Sequence, residues 1–244
     1  IRTTARLDGD AYVLDGLKHF ITNGPAADYV TVIALTDPPK RAKGMSVFIV
    51  ERGTPGFEVS RIQETMGPRG YHQAELVFDG CRVPKDNLVG EPGTGFKTAM
   101  RCLNEGRISM AVASIGASQR LLHEATAYAK ARVQFGKPIA AQQAIQFMLS
   151  DMATEHFASR AMTLEAAWQV ERNPRNNQYS SMAKLFASEA AGRIADRAVQ
   201  IFGGMGYMKE LPVERLYREV RLHRIVEGTS EIQRLIIARE LLRD

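Results

Sequence analysis

The sequence has 244 residues, a formal net charge of +5 at neutral pH and 45% hydrophobic residues. That length allows one large domain or two modest ones, and the hydrophobic content is too high for a disordered chain. No apolar run approaches the roughly 18–20 residues of a membrane span, and Lys and Arg are dispersed among acids, so neither a membrane nor nucleic acid is favoured as a partner.

The first third of the chain has the pattern of a β domain. Residues 1–88 contain short alternating or apolar segments separated by turns, with no helical segment between them. Two of these segments, residues 11–14 and 18–22, flank Asp15-Gly16 and predict a hairpin. Short strands joined by turns predict an antiparallel β-sandwich or barrel.

From Gly95 the apolar residues recur at helical spacing. The pattern predicts one long helix that ends near residue 132, a second over about 140–171 and a third that ends at Gly203-Gly204, with a loop at 173–177. A shorter helix at about 212–221 and a last helix after Glu227 complete the chain. These helices predict an up-and-down four-helix bundle, so the fold class is α+β, with a β domain of residues 1–88 and a helical domain of residues 89–244.

Two of these helices have apolar residues from which a core face is predicted. The predicted core face of the second helix consists of Ile145, Met148, Leu149, Met152, Phe157, Met162, Leu164 and Trp168. The predicted buried face of the last helix consists of Ile232, Leu235, Ile236, Leu241 and Leu242. Both predictions depend on helical spacing alone.

A short acidic stretch precedes the last helix. Gly228 breaks the preceding pattern, and Ser230 and Gln233 have the S-x-x-Q spacing of a capping box, so a helix is predicted to begin at Ser230. Glu227 then lies just outside a helix N-terminus on a glycine turn. A carboxylate there suits a general base beside an anion or carbonyl site, or it complements the helix dipole.

Two further stretches contain residues that could contact a ligand, but each residue also has a simple structural explanation. Phe20 and Thr22 precede an Asn-Gly turn, where the ring could stack on a flat cofactor or be a core residue. Arg107 follows Gly106 inside the first long helix, where it could meet a carboxylate or phosphate or be an exposed helix arginine.

Two glycine-containing stretches lie at predicted helix ends. Residues 132–138 combine two cations, an aromatic residue and a glycine, which suits a pyrophosphate or adenine, or simply a charged helix end. Residues 200–207 are glycine-rich, but they do not follow a strand, so a Rossmann dinucleotide site is rejected. Their glycines are helix caps or points where a ligand approaches the backbone.

Only two cysteines, Cys81 and Cys102, are present, and they match no metal-ligand spacing, so no metal site is expected. They fit reduced thiols in a cytosol-like compartment such as the bacterial cytoplasm or the mitochondrial matrix. No signal peptide is visible, and residues 1–6 alternate like a strand in progress. Because the chain does not begin with Met, we expect a fragment or a processed chain.

Four motifs together resemble the acyl-CoA dehydrogenase family. In order, they are Phe-Ile-Thr-Asn-Gly at 20–24, Arg-x-x-Phe-Gly-Lys-Pro-Ile at 132–139, Gln-Ile-Phe-Gly-Gly-x-Gly-Tyr at 200–207 and Glu-Gly-Thr-Ser-Glu-Ile-Gln-Arg at 227–234. The resemblance covers the whole chain. It implies a flavoenzyme that converts an acyl-CoA thioester to the trans-2-enoyl-CoA and passes electrons to an electron-transfer flavoprotein.

The resemblance also implies roles for residues around the substrate. Glu227 matches the base that takes the α proton. In some relatives the base lies instead at the position of Gly106, which has no side chain to serve, and Glu105 is a secondary candidate. Asn104, Arg107 and Gly228 match positions on the substrate side.

The resemblance assigns a further set of residues to FAD. Phe20 stands where a tryptophan is usual, and Gln142 where many relatives have His. The residues that match cofactor contacts are Phe20, Ile21, Thr22, Arg132, Gln134, Phe135, Gln143, Gln200, Ile201, Phe202, Gly203, Gly204, Thr229, Ser230 and Glu231. In the family, Arg132, Gln134 and Phe135 match residues that reach the FAD of a neighbouring subunit, which implies a homodimer or homotetramer.

One departure from the family pattern lies at the front of the sequence. Family members have an N-terminal helical domain and a Thr-Glu-Pro-x-Ala-Gly-Ser-Asp-like stretch, and neither occurs here. We therefore expect this chain to be part of a longer protein. The alternatives to a dehydrogenase are an acyl-CoA oxidase that uses dioxygen and a non-catalytic, nucleic-acid-binding relative.

Overall fold

The computed structural model describes residues 1–173 and 177–243. They form two compact units, residues 1–101 and residues 102–244. The α+β class predicted from the sequence is confirmed. The division at residues 88 and 89 stays a prediction. Among the described residues, no helix combines the length and the apolar character that a membrane crossing requires.

The first unit is built on one seven-stranded sheet with the strand order β5-β6-β2-β1-β3-β4-β7. The strands are β1 Thr4–Asp8, β2 Ala11–Thr22, β3 Tyr29–Leu35, β4 Met45–Glu51, β5 Phe57–Gln63, β6 Gln73–Pro84 and β7 Leu88–Val89. Neighbours pair antiparallel except β1 and β3, which pair in parallel through Thr4 and Leu35. A buried cluster that includes Leu14, Phe48 and Leu76 forms the core of this unit.

The predicted hairpin at Asp15-Gly16 is wrong, because β2 runs without a break through both residues. The pairing of β2 with β6 shifts register between Leu14 and Gly16, so the glycine marks a bulge rather than a turn. Its φ is +143°, and a Cβ there would lie 2.7 Å from the Cα of Thr3. The hairpin forms one segment earlier, between β1 and β2, where Asp8 pairs with Ala11.

The remaining regular structure is helical apart from one short hairpin. The helices are α1 Gly95–Ala131, α2 Gln143–Arg172, α3 Gln178–Phe202, α4 Gly204–Tyr207, α5 Pro212–His223 and α6 Ser230–Leu241, and the hairpin strands are β8 Val133–Gln134 and β9 Lys137–Pro138. The predicted long helices are therefore present, with ends within a few residues of those expected. Residues 174–176 of the predicted loop at 173–177 lie outside the described residues.

Helix α3 is central to the second unit, since α2, α5 and α6 all pack on it. Its buried face is made mostly of Ala and Ser, with Lys184, Ile194, Ile201 and Phe202 as larger members. Small side chains let neighbouring helices approach closely, and the core that results includes Leu121, Met152 and Val213 from α1, α2 and α5.

The predicted core faces of α2 and α6 are only partly correct. On α2, Met152 is buried and Ile145, Met148 and Leu149 pack against the core, whereas Phe157, Met162, Leu164 and Trp168 are exposed. On α6, Ile232, Leu235 and Leu241 are exposed, Ile236 is half-buried, and Ser230 and Gln233 are the buried residues. Leu242, one residue past the helix, is exposed. Each helix is apolar on more than one side, and α3 covers only one of them.

The last helix begins at Ser230 as predicted, but the predicted capping box at Ser230 and Gln233 is wrong. Thr229 is the N-cap, and its hydroxyl accepts a hydrogen bond from the Ile232 N–H at 3.4 Å. Thr229 has the extended backbone of an N-cap residue, which moves Ser230 to the first helical position. The Ser230 hydroxyl instead donates to Oε1 of Glu189 at 2.6 Å.

Candidate active site

The turn between α5 and α6 has a strained backbone. Glu227 has a φ of +54° and Gly228 a φ of +91°, so two successive residues occupy the left-handed region. Gly228 tolerates this conformation because it has no Cβ, and a Cβ there would lie 2.8 Å from Nε2 of Gln233. Glu227 lacks that freedom, and a non-glycine residue in this region persists only where its surroundings enforce it.

Two buried side chains hold this turn through its carbonyl groups. Nε2 of Gln233 donates to the Glu227 and Gly228 carbonyl oxygens, each at 2.9 Å. Nζ of Lys184, on α3, donates to the Gly228 carbonyl at 2.8 Å. The turn is therefore held from both α3 and α6.

The half-buried Glu227 side chain lies over Gly106 of α1. A Cβ built on Gly106 would lie 2.5 Å from Oε2 of Glu227 and 2.8 Å from its Cδ. Any larger residue at 106 would therefore displace the carboxylate. The two positions that the family resemblance implies for a base lie together in space, and only one of them has a carboxylate.

Arg107, next to Gly106, is buried and only 5% exposed, so it is not the exposed helix arginine that was one of the two predicted alternatives. Its Nε is buried and has no hydrogen-bond partner among the described residues. Burial lowers the pKa of the Arg107 guanidinium from its ordinary value, and the nearby Glu227 carboxylate partly offsets that effect. The site thus contains a cationic donor with unused hydrogen-bonding capacity.

Lys184 is fully buried near the same carboxylate. Burial lowers the pKa of its ammonium to about 8, against the opposing charges of Glu227 and Glu189. For Glu189, burial alone would raise the pKa, but the Ser230 hydroxyl and the Arg224 charge outweigh it and the pKa is lowered. Sequence reasoning missed Lys184, since a lysine on a helix is usually exposed. Its sequence signal is that helical spacing places it on the same face as Ser181, Ala187 and Ser188.

His223 ends α5 close to this group. Its Nδ1 makes a hydrogen bond of 2.9 Å with the Ser114 hydroxyl of α1. Burial lowers the pKa of His223, and the Lys184 charge lowers it further. Asn104 of α1 is also buried, and its side-chain oxygen accepts a hydrogen bond from the Ser180 hydroxyl of α3. The assignment of Asn104 to the substrate stays a prediction.

In the first unit, Phe20 is held in an unusual conformation. Its φ is +57°, it lies at a register shift of β2, and its side chain is 71% exposed. Ile21 packs against the core, and the Thr22 hydroxyl donates to Oε1 of Gln73 at 3.0 Å. An exposed aromatic ring beside an accessible hydroxyl suits a flat polar ligand.

The β8–β9 hairpin carries a second exposed aromatic ring. Phe135 and Gly136 form its two-residue loop with φ values of +53° and +78°, the pattern of a type I′ turn. The Phe135 side chain is 90% exposed. Arg132 and Gln134 are exposed on the same segment, and Gln143 is exposed at the start of α2.

At the end of α3, two predicted ligand residues are core residues. Ile201 and Phe202 are buried, and Phe202 stacks on Tyr128 with ring centroids 4.1 Å apart. Only their backbone is left to contact a ligand. Gln200 is exposed, and a Cβ at Gly203 or Gly204 would meet nothing within 4 Å. Open space beside glycine backbone suits a ligand that approaches the main chain.

The residues at the start of α6 differ in what they offer a ligand. Glu231 is exposed, Thr229 is half-buried and caps the helix, and Ser230 is buried with its hydroxyl bonded to Glu189. Ser230 therefore has only its backbone for a ligand. The cofactor assignments of all these residues stay predictions.

Comparison with known proteins identifies the family. The family model for the acyl-CoA dehydrogenase middle domain matches residues 1–81, and that for the acyl-CoA dehydrogenase C-terminal domain matches residues 93–242. An acyl-CoA dehydrogenase of Bacillus subtilis (strain 168) is 50% identical over 242 residues, which are 99% of this chain and 64% of that protein. The chain thus spans less than two thirds of the length of that relative.

Two solved structures are closely similar. Butyryl-CoA dehydrogenase from Megasphaera elsdenii has a TM-score of 0.96 and 42% identity, over 99% of this chain and 63% of that chain. A chain in a structure of the electron transferring flavoprotein of Acidaminococcus fermentans has a TM-score of 0.96 and 44% identity, over 100% of this chain and 64% of that chain. With both family models matching and the fold shared throughout, this chain belongs to the acyl-CoA dehydrogenase family.

Proposed function

We propose that the protein carrying this chain is an FAD-dependent acyl-CoA dehydrogenase. It would remove the α proton and a β hydride from an acyl-CoA thioester and release the trans-2-enoyl-CoA. The observation that carries this proposal is the Glu227 carboxylate, held on a strained turn over Gly106, where no side chain competes with it.

Glu227 acts as the general base in this proposal. The α proton of a thioester is weakly acidic, so its removal needs a carboxylate held at hydrogen-bonding distance in a site that excludes water. The turn supplies the fixed position, because its two carbonyls are bound by buried side chains. The resemblance assigns the Glu227 backbone N–H to the thioester oxygen, where it would stabilise developing negative charge.

Arg107 would complete the polar side of the substrate pocket. Its buried Nε has no hydrogen-bond partner among the described residues, and a buried guanidinium donor without a partner is costly. An acyl-CoA oxygen, or a water held with the substrate, would satisfy that donor. The positive charge of Arg107 also lies near the negative charge of the Glu227 carboxylate, and the two charges attract each other.

Each unit, taken by itself, contains residues that suit part of FAD. When bound, FAD would accept the β hydride. Phe20 offers an exposed ring and Thr22 a hydroxyl for its flat ring system. The open backbone of Gly203 and Gly204 and the exposed Gln143 and Gln200 suit its phosphates and nucleotide.

The exposed hairpin and helix faces support assembly as a homodimer or homotetramer. Phe135 is almost fully exposed in a strained conformation, next to Arg132 and Gln134. The exposed apolar residues of α2 and α6 would be covered in such an assembly, as large exposed apolar patches usually are. In this proposal the hairpin reaches the FAD of the neighbouring subunit.

The similar structures suggest a substrate class and an electron acceptor. The likeness to a butyryl-CoA dehydrogenase favours short acyl chains. The likeness to a chain in an electron transferring flavoprotein structure favours such a flavoprotein as the acceptor. The preference for short acyl chains and the electron acceptor are both part of the proposal for this protein.

Flavin bleaching tests the proposal directly. The purified full-length protein should be yellow, and the flavin absorbance should fall when acyl-CoAs of increasing length are mixed with it under anaerobic conditions, with butyryl-CoA first. Failure of every acyl-CoA to bleach a bound flavin would contradict the activity. Rapid reoxidation by dioxygen would favour the oxidase, and a colourless protein that takes up no FAD would favour a non-catalytic relative.

A further inference from the structure

Lys184 is the one lysine with complete burial among the described residues. Its neighbours on the buried face of α3 are Ser181, Ala183, Ala187 and Ser188. Lysine is almost never fully buried unless it is paired. A long cation among small residues therefore calls for a specific role.

Lys184 makes a hydrogen bond to the turn at Glu227-Gly228. Its Nζ donates to the Gly228 carbonyl at 2.8 Å. The same carbonyl also accepts from Nε2 of Gln233 at 2.9 Å, so it keeps a donor if Lys184 is removed. Gln233 alone would provide this carbonyl with a hydrogen-bond donor, so the buried ammonium of Lys184 is an additional, charged donor to it. A charged donor makes the stronger hydrogen bond.

Charged and titratable groups from every neighbouring element act on Lys184 or on the groups it contacts. They are Arg107 on α1, Glu189 on α3, His223 on α5, Glu227 in the turn and Glu231 on α6. The three carboxylates favour the charged ammonium, while Arg107 and burial oppose it. His223 has its pKa lowered by burial, so it adds little positive charge at neutral pH.

We propose that Lys184 is a positioning residue for Glu227. Its ammonium holds the Gly228 carbonyl and keeps residues 227 and 228 in the left-handed conformation that sets the Glu227 carboxylate over Gly106. The effect of Lys184 on kcat rests on the proposed function, whereas its effect on the backbone conformation of the turn does not.

Stability and activity should respond in opposite directions to the loss of Lys184. Burial lowers its pKa to about 8 in the folded chain, whereas a lysine in an unfolded chain titrates near 10.4. Between those values only the unfolded chain holds the proton, so stability rises with pH there and is lowest when the buried ammonium is charged. Lys184→Met removes that unfavourable contribution and nearly preserves the volume of the side chain.

The experiment compares Lys184→Met with a matched control in the full-length protein. Arg197→Met changes a cation on the same helix whose ion pairs are with Asp151 and Glu155 of α2 rather than with the turn at residues 227 and 228. Three quantities are measured in each variant: hydrogen exchange of a peptide covering residues 224–233, the Tm at several pH values, and kcat and KM.

In Lys184→Met we expect faster exchange over 224–233 and a Tm at pH 7 that is no lower than in the wild type. The Tm difference should shrink as the pH is raised from about 7 to about 9.5. We expect kcat to fall about 10- to 100-fold, the loss that a displacement of about 1 Å can cause, with KM little changed. Arg197→Met should leave the exchange of this peptide and kcat unchanged.

Three results would overturn the inference. The first two are unchanged exchange over 224–233 in Lys184→Met, and a kcat within about twofold of the wild type despite faster exchange. A kcat that falls only together with the Tm would assign Lys184 a structural role and would also contradict it. If the wild type bleaches with no acyl-CoA, the proposed function fails, and the exchange data still decide whether Lys184 holds the turn.

Discussion

The turn at Glu227-Gly228 and the hairpin loop at Phe135-Gly136 have the same backbone pattern in different surroundings. Each places a non-glycine residue at a φ near +54° and follows it with a glycine at positive φ. The first turn is held by buried side chains from α3 and α6. The second ends a two-strand ladder, and the ring at its tip is 90% exposed.

The difference shows what stabilises each of the two strained residues. A non-glycine residue in a sparsely populated conformation costs on the order of 1–3 kcal/mol. At Glu227 the chain itself supplies the hydrogen bonds that offset this cost. At Phe135 the ring makes little contact within the chain, so its conformation suits a contact made by something else. The Glu227 turn is thus stabilised by its own chain, which suits the proposed general base, whereas the exposed Phe135 ring suits the proposed contact between subunits.

The largest expected effect is at the self-contained turn. Glu227→Gln keeps the shape of the side chain but removes its basicity, so anaerobic flavin bleaching by acyl-CoA should slow by about 10²- to 10⁴-fold. Glu105→Gln, which changes an exposed carboxylate one residue before Gly106, is the control and should bleach at nearly the wild-type rate. The reverse result would assign the base to Glu105.

A smaller effect is expected when the turn is left intact and its neighbour is enlarged. Gly106→Ala puts a Cβ 2.5 Å from Oε2 of Glu227, at the end of a flexible side chain that can move away. The Tm should change little, while kcat should fall roughly 10- to 100-fold as the carboxylate is displaced. Gly116→Ala on the same helix, where a Cβ meets nothing within 4 Å, is the control. Equal kcat values for the two variants would show that Glu227 does not act from over Gly106.

The smallest effect on the folded chain is expected at the hairpin. Phe135→Gly relieves the left-handed strain, so the Tm of each unit should stay the same or rise slightly. If the ring contacts a neighbouring subunit, less FAD should be retained on gel filtration and the dissociation constant of the dimer should rise. Arg41→Gly relieves a similar strain at a φ of +50° outside the proposed site and should change neither. Unchanged retention and assembly in Phe135→Gly would remove the contrast between the two turns.

The sequence determined the parts of this protein that depend on local pattern. The change from strand to helix near Gly95, the long helices and the glycine turns at 136 and 228 all follow from residue spacing and from the backbone freedom of glycine. The family resemblance also implied Glu227 and Gly106 as the alternative positions of the proposed base. These features are readable because each depends on residues close together in the chain.

Only the tertiary structure decided which of several locally reasonable surfaces is covered. Helices α2 and α6 are apolar on more than one side, and the position of α3 decided that Phe157 and Leu235 are exposed. Lys184 and Gln233 hold the turn at Glu227-Gly228 because α3 and α6 bring them to a carbonyl that is 44 and 5 residues away in sequence. Burial of a side chain depends on neighbours that are distant in sequence, and helical periodicity contains no information about them.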